Sequence, residues 1–297
     1  MRRKLKNLKH KSGHSENGSP RQLIDETVYR EHWNFINATI GDPHWDPKYS
    51  GWSNASRPQD YAIFLRAGIP VGGPIETPID LGTAGDFAIF AFTGISDAGG
   101  STVAGSMGID PAAYTFVTGF SLTGTTGDPF FGSAQVSPGE VYTPNNSGAT
   151  PAEVVQANLD VTTAYNTASA AVITHPPNAF NGHLGGQTLQ PGVWSWSGAV
   201  DITGGNLTLD GAGVYIFKIA GGLSLAGGHS IILGPGASVA NVFWAVAGVV
   251  SAGVGSVFNG EVITGPSGSI TLLAATVNGR LLSQTLVSLS GTTVTEA

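Results

Sequence analysis

The sequence has no cysteine, so no disulfide can staple it and no thiol chemistry is open to it. Basic residues are almost missing from its larger part. Eleven of the thirteen Lys and Arg lie in residues 1–66, and from Ile79 onward only Lys218 and Arg280 are basic, against twelve Asp and Glu. A surface so poor in cations excludes a phosphate backbone as partner. The basic N-terminus, MRRKLKNLKHKSGH, is not followed by an apolar run of signal-peptide length, so the chain as written shows no secretion signal. One uncharged stretch, Ile231 to Phe258, is long enough to span a bilayer. Its five Gly, Pro235 and Asn241 break it into pieces better suited to buried strands.

What is abundant is glycine and proline, 43 and 17 residues. That excludes a helical bundle and fits many tight turns between short strands. A small phrase recurs after residue 200: an apolar residue, a Ser or Thr, a second apolar residue. Its copies are Leu207-Thr208-Leu209, Leu223-Ser224-Leu225, Val250-Ser251-Ala252, Ile270-Thr271-Leu272 and Val287-Ser288-Leu289. Alternation bounded by Gly reads as a strand with its apolar pair inward and its hydroxyl outward. Copies recur every 16 to 27 residues, the period of a solenoid with one copy on each coil. Stacked coils set the outward hydroxyls in a row about 4.7–4.9 Å apart.

In chain order, residues 1–20 read as a disordered basic tail and 21–40 as a short helix. Trp33, Trp45 and Trp52 form a small hydrophobic cluster or part of a tail. His32, His44 and Asp46 are a weak metal candidate on a loop. A boundary falls near Pro74–Pro78, dividing an N-terminal segment, 1–78, from a main domain, 79–297. Phe87–Ala91 and Ser101–Ile109 read as strands, Phe120-Ser121-Leu122-Thr123 resembles the repeated phrase, and turn-rich 124–149 caps one end of the stack. Thr150-Pro151-Ala152-Glu153 has the form of a capping box and opens a helix over about 151–172. Val154, Ala157, Val161, Ala164, Tyr165, Ala168 and Val172 make its apolar stripe, which belongs along one side of the solenoid. Asn241–Val246, NVFWAV, reads as a strand buried on both sides beneath that helix.

Catalytic candidates are sparse. His175, His183, His229, Lys218 and Arg280 are dispersed and share no phrase, whereas a β-helical lyase or hydrolase needs a base with a charged partner or paired carboxylates. His175 reads as a partner for the helix C-terminus, Arg280 as a donor to carbonyls between coils, and Asp201 and Asp210 as turn residues. A polysaccharide-binding or adhesin module would present aromatic platforms, and Trp194 and Trp196 share a strand face. Five Asn-X-Ser/Thr sequons, at Asn17, Asn37, Asn54, Asn145 and Asn206, permit glycosylation of a secreted chain.

Five segments then occur in order: LGTAGDFAIFAFTGIS from Leu81, GGQTLQPGVWSW from Gly185, GVYIFKI from Gly213, GASVANVFWAV from Gly236 and VNGRLLS from Val277. Together, with the helix between the first and second, they resemble the ice-binding protein family of fungi, sea-ice algae and bacteria, first catalogued as a domain of unknown function. The resemblance covers about residues 79–297. The family usually carries a cleaved secretion signal ahead of this region, and residues 1–78 depart from that pattern. The resemblance implies a mostly β fold: a right-handed three-sided β-helix (β-solenoid) whose coils do not stack in strict chain order, with one long α-helix packed along one side. It implies secretion, ice as the partner, no cofactor and no catalytic residues. Neither nucleic acid nor membrane is an expected partner, and the expected state is a monomer.

In that family the ice face is a flat, strand-built side dotted with Thr, Ser and Ala. The candidate face here is therefore Thr208, Ser224, Ser251, Thr271 and Ser288, flanked by Ala226, Gly253, Ser269, Ser290 and Thr292. Val249, Leu273 and Leu286 share its outward parity, which makes the face relatively hydrophobic.

Overall fold

Short strands separated by glycine-rich turns cannot each bury a face alone, so they close into coils and stack. The computed structural model describes residues 77–296. The short helix expected in 21–40, the tryptophan cluster and the His32–His44–Asp46 candidate lie outside these residues.

Each full coil has three strands. The first holds β1 (Ile89–Ala91), β2 (Gly94–Asp97) and β3 (Thr102–Ala104); the next holds only β4 (Met107–Ile109) and β5 (Val117–Thr118), and β6 (Val141–Tyr142) then pairs with β4 on the same wall. The helix α1 (Thr150–Ala170) and β7 (Thr188–Leu189) follow. Five more coils complete the chain: β8 (Gly192–Trp196), β9 (Val200–Ile202) and β10 (Leu207–Leu209); β11 (Tyr215–Ile219), β12 (Leu223–Leu225) and β13 (Ile231–Leu233); β14 (Val242–Val246), β15 (Val250–Ala252) and β16 (Val257–Asn259); β17 (Glu261–Thr264), β18 (Ile270–Leu273) and β19 (Thr276–Asn278); β20 (Leu281–Ser283), β21 (Leu286–Ser290) and β22 (Thr293–Thr295).

Stacking gives three walls of parallel strands. The first runs β6-β4-β1-β20-β17-β14-β11-β8 and the second β5-β2-β21-β18-β15-β12-β9. The third is made of two sheets, β7-β10-β13 and β16-β19-β22-β3, joined by a bridge between Ser230 and Val257. The order is not that of the chain: β1, β2 and β3 pair with β20, β21 and β22, so the N-terminal coil sits on the C-terminal one. The uncharged run Ile231–Phe258 is spent on β13 to β16. No helix among the described residues is long and apolar enough to cross a membrane.

Inside the coils lies a continuous apolar column. Toward one end lies an aromatic stack in which Phe217 lies 4.0 Å from Trp244, and Trp194 and Trp196 are nearly parallel at 6.3 Å. The three indole N–H groups donate to the carbonyls of Gln190, Ala179 and Asn259, so these buried donors are satisfied. The other end is closed by residues 120–148, where Phe120, Phe131 and Val136 turn into the column. Phe120-Ser121-Leu122-Thr123 therefore belongs to this cap and forms no strand of a wall; Ser121 takes a positive φ of 48°.

The first wall is buried on both sides. Val154, Ala157, Val161, Ala164 and Ala168 of α1 pack on Phe90, Val193, Ile216, Phe243, Ala245, Ile263 and Leu282. NVFWAV lies under the helix as expected, and all five residues of β14 are buried. Burial of each large side chain here contributes about 1.5–3 kcal/mol. Three local expectations need correction. The residue at the N-cap is Ala149, and it makes no side-chain cap; the Thr150 hydroxyl instead donates to the Pro129 carbonyl in the end cap. The helix stops at Ala170, leaving Val172 exposed at 71%. His175 does not serve the helix terminus: its ring stacks on Trp194 at 3.8 Å and Nε2 meets the Pro191 carbonyl. Lys218 takes that place, its Nζ donating to the Ala171 carbonyl at 2.8 Å, where a cation suits the helix dipole.

Arg280 ties together the two ends of the described domain. Nε donates to the Gly85 carbonyl at 2.9 Å, Nη1 to Glu261 at 3.0 Å and Nη2 to Glu296 at 2.8 Å. Glu261 is 1% exposed and its second oxygen has no partner. Burial pushes its carboxyl up to about 7, against the opposing pull of Arg280. The folded chain thus holds a proton that the unfolded chain releases near 4.5. The stability this proton supplies is full below that value and is lost as pH rises through about 7. Glu261→Gln keeps an acceptor for Arg280 and removes the titration. Its unfolding temperature should gain on the parent's at about pH 8.5 relative to about pH 5, read by thermal melts of the full chain at both. An equal difference at both pH values would refute the assignment.

Candidate functional site

With the first wall covered, the second and third face solvent. On the second wall the middle outward residue of each strand stacks on its neighbour. The row runs Thr118, Ser96, Ser288, Thr271, Ser251, Ser224, Asp201. Each side chain points out because the residues on either side are held inward: Val250 and Ala252 flank Ser251, and Ile270 and Leu272 flank Thr271, all buried. Strand spacing sets the row's repeat at about 4.7–4.9 Å. Where the N-terminal coil meets the C-terminal one, Ser96 Oγ donates to Ser288 Oγ at 3.2 Å, so the row crosses that junction unbroken.

Four of the five hydroxyls expected in one row, Ser224, Ser251, Thr271 and Ser288, are brought together. Ala226 and Gly253 follow their strands and Ser290 ends β21 on one flank, where Ser290 lies beside Leu273. Ser269 precedes β18 on the other flank, whose strands carry Val249 and Leu286 at the same parity. Val249 and Leu273 are each 50% exposed and Leu286 is 38% exposed, as their parity predicts.

Two expected residues lie elsewhere. Thr208 is on the third wall, between Thr188 and Ile232, because β10 is the last strand of its coil and β9 is the member on the second wall. Thr292 is fully buried, and its backbone N–H donates to Ser101 Oγ at 3.0 Å; the turn at Gly291 resets the alternation before it. Three members of the row were not anticipated: Ser96, Thr118 and Asp201. In the first two the phrase is present with its second apolar residue replaced, as Ile95-Ser96-Asp97 and Val117-Thr118-Gly119. Asp97 is 8% exposed, turned to Ser101 Oγ at 2.6 Å. Asp201 is a strand residue rather than a turn residue; Asp210 lies beyond the end of β10, as expected of a turn.

Electrostatically the second wall is bare. Lys218 and Arg280, the cations among the described residues, both serve the first wall. On the wall's middle row Asp201 is the only ionisable side chain. The third wall is less regular, being split into two sheets and roughened by Ile232, Val257 and the paired amides Asn278 and Asn259, 2.7 Å apart. Trp194 and Trp196, the candidates for a sugar platform, are 7% and 3% exposed and point into the column. Among the described residues no group of three or more His, Cys, Asp or Glu could hold a metal ion.

A family model described as ice-binding-like matches residues 89–295. The chain is 41% identical over 219 residues to an ice-binding protein of Flammulina populicola, which covers 73% of this chain and 87% of that one. It is 37% identical over 227 residues to an ice-binding protein of Leucosporidium sp. (strain AY30), covering 75% and 85%. Among solved structures, it resembles a glycosylated ice-binding protein from Arctic yeast with a TM-score of 0.71 and 36% identity, over 75% of this chain and 95% of that one.

The corner that leads into the second wall is closely packed. A Cβ at Gly248 would stand 2.8 Å from the Gly221 carbonyl oxygen and 3.0 Å from the Gly222 nitrogen, both backbone atoms that cannot move without shifting the coil below. Gly248→Ala should therefore destabilise the domain by about 1–3 kcal/mol. A melting temperature equal to the parent's would show that the corner has slack.

Proposed function

The chain belongs to the ice-binding-like family, and from that premise we propose that it adsorbs to ice through its second wall. The protein binds ice crystal surfaces, and adsorption of this kind gives thermal hysteresis and slows recrystallisation. Pinned protein forces the growing front to bulge between molecules, and the curvature lowers the local freezing point. The observation that supports the second wall is its aligned row of six hydroxyls, Thr118 to Ser224, on a continuous seven-stranded sheet.

The physics of recognition favours such an array. One hydroxyl hydrogen bond in water nets only about 0.5–1.5 kcal/mol, too little to tell ice from liquid. A rigid row has its order fixed before binding, so each further contact costs little entropy. Coil spacing gives one repeat of about 4.7–4.9 Å, and alternate residues along a strand give another of about 6.6–6.8 Å. Both lie near oxygen repeats on ice surfaces. Hydroxyls and methyls hold surface water in a lattice that merges with the crystal, whereas exposed charges impose their own hydration geometry. Val249, Leu273 and Leu286 add apolar area at the flanks of the row.

The proposal extends to three coarser points. The domain is non-catalytic: His175 is stacked on Trp194, and Lys218 and Arg280 serve structural partners. It acts as a secreted monomer. The ice-binding domain is residues 79–297, preceded by a separate N-terminal segment, 1–78.

Thr271 is exposed in mid-row, and a tyrosine there projects from the wall without entering the column. In the full chain, Thr271→Tyr should remove most of the thermal hysteresis and recrystallisation inhibition and leave the melting temperature unchanged. Thr208→Tyr, on the third wall, should keep both. Loss in the second variant with retention in the first would move the ice face to the third wall, and a folded parent with no effect on ice would refute the function.

A further inference from the structure

The row of outward residues ends in a charge. Asp201 occupies the place on β9 that Ser224 holds on β12. An exposed carboxylate binds water tightly through both oxygens, in a geometry set by the charge rather than by a lattice. On a surface that works by ordering water it would cost the last coil its place in the contact. The atoms around Asp201 limit this, leaving its side chain 29% exposed. Its Oδ1 is buried and has no hydrogen-bond partner. Its Oδ2 lies 2.6 Å from His183 Nδ1. An ionised carboxylate only accepts, so Nδ1 is the donor. One oxygen is out of water and the other is occupied by imidazole.

This pairing is built into the fold. His183 bridges to Asp201 as the next rung after β9, and the following Leu184 N–H donates to the Asp201 carbonyl at 2.8 Å. The segment before it is pinned to the last coil. Asn178 N–H donates to the Ser195 carbonyl, and the Asn178 side-chain oxygen accepts from the Ser197 N–H, both at 2.8 Å. Gly182 passes so close that a Cβ would stand 2.5 Å from the Ala199 carbonyl oxygen. The imidazole therefore arrives at Asp201 in a fixed position, although its side chain is 72% exposed. A surface contact of this kind adds little to stability, which leaves its placement at the end of the row without a structural purpose.

We propose that His183 is a positioning residue that masks the carboxylate of Asp201 from water and so lets the ice-contact row extend to the last coil. The proposal rests on the second wall being the ice face. It treats Asp201 and His183 as one unit whose value lies in what it withholds from solvent.

The test uses the full chain, with thermal hysteresis as the readout and thermal melts as the control. His183→Ala frees Oδ2 to hydrate, and activity should fall by about twofold or more while the melting temperature stays at the parent's value. Adding Asp201→Asn to that variant removes the charge and should restore parental activity, a rescue that a merely structural role for His183 would not give. Asp201→Ser alone, which leaves His183 in place, should match or exceed the parent, and it decides the question if His183→Ala fails to fold. Full activity in folded His183→Ala, a double variant as weak as the single, or a loss in Asp201→Ser would each overturn the proposal while leaving the wall assignment intact. A parent whose activity is untouched by Thr271→Tyr would remove the wall and this inference together.

Discussion

Parallel hydrogen bonding between coils, in register on every wall, is the constraint from which the rest follows. Once each strand lies directly over the one beneath, residues of equal position stack. Inside, this collects apolar side chains into a single column and lets aromatic rings lie flat on one another. Outside, it converts an ordinary strand residue into one member of a row. A hydroxyl on an isolated hairpin would mean nothing for a crystal. The same hydroxyl repeated over six coils, at a spacing set by the peptide backbone, is a lattice element.

The three walls divide the remaining work. The first gives its outer surface to α1, and the two cations of the domain are used there, one on the helix end and one between Glu261 and Glu296. The second is left without Lys or Arg and ends in a carboxylate, Asp201, paired with His183. The third is interrupted by a change of sheet at Ser230–Val257. Flatness and neutrality on one side therefore depend on irregularity and charge being placed on the others.

Much of this was legible in the chain. The alternation at Ser224, Ser251, Thr271 and Ser288 identified strands, their inward pairs and their outward hydroxyls, because period-two burial is a local property. Which wall a strand joins is not local. Leu207-Thr208-Leu209 carries the same phrase as its neighbours, and only its distance from the preceding aromatic strand separates it from them. In the second, third and fourth of the later coils, the member on the second wall begins 4 to 6 residues after the strand on the first: Ile219 to Leu223, Val246 to Val250, Thr264 to Ile270. By that measure Val200-Asp201-Ile202 is the copy that belongs, and Asp in the hydroxyl place hid it. Ser96 and Thr118 were hidden by broken phrases and by stacking that departs from chain order. The helix stripe was readable, whereas the destination of the Thr150 hydroxyl was decided by a carbonyl 21 residues away.

The joint between the first and last coils also constrains how the molecule comes into being. Ser96 and Ser288 touch across 192 residues of chain, so the N-terminal coil has no complete surface to rest on until the C-terminal one has been made. Closing a loop of that length is entropically slow, and folds dominated by such distant pairings fold late and expose strand edges while they wait. The five C-terminal coils can stack in the order they are made, each on the one before it. The two N-terminal coils, with β1, β2 and β3, must be held open and then docked. The ordered surface is thus completed at one end, by the part of the domain that was synthesised first.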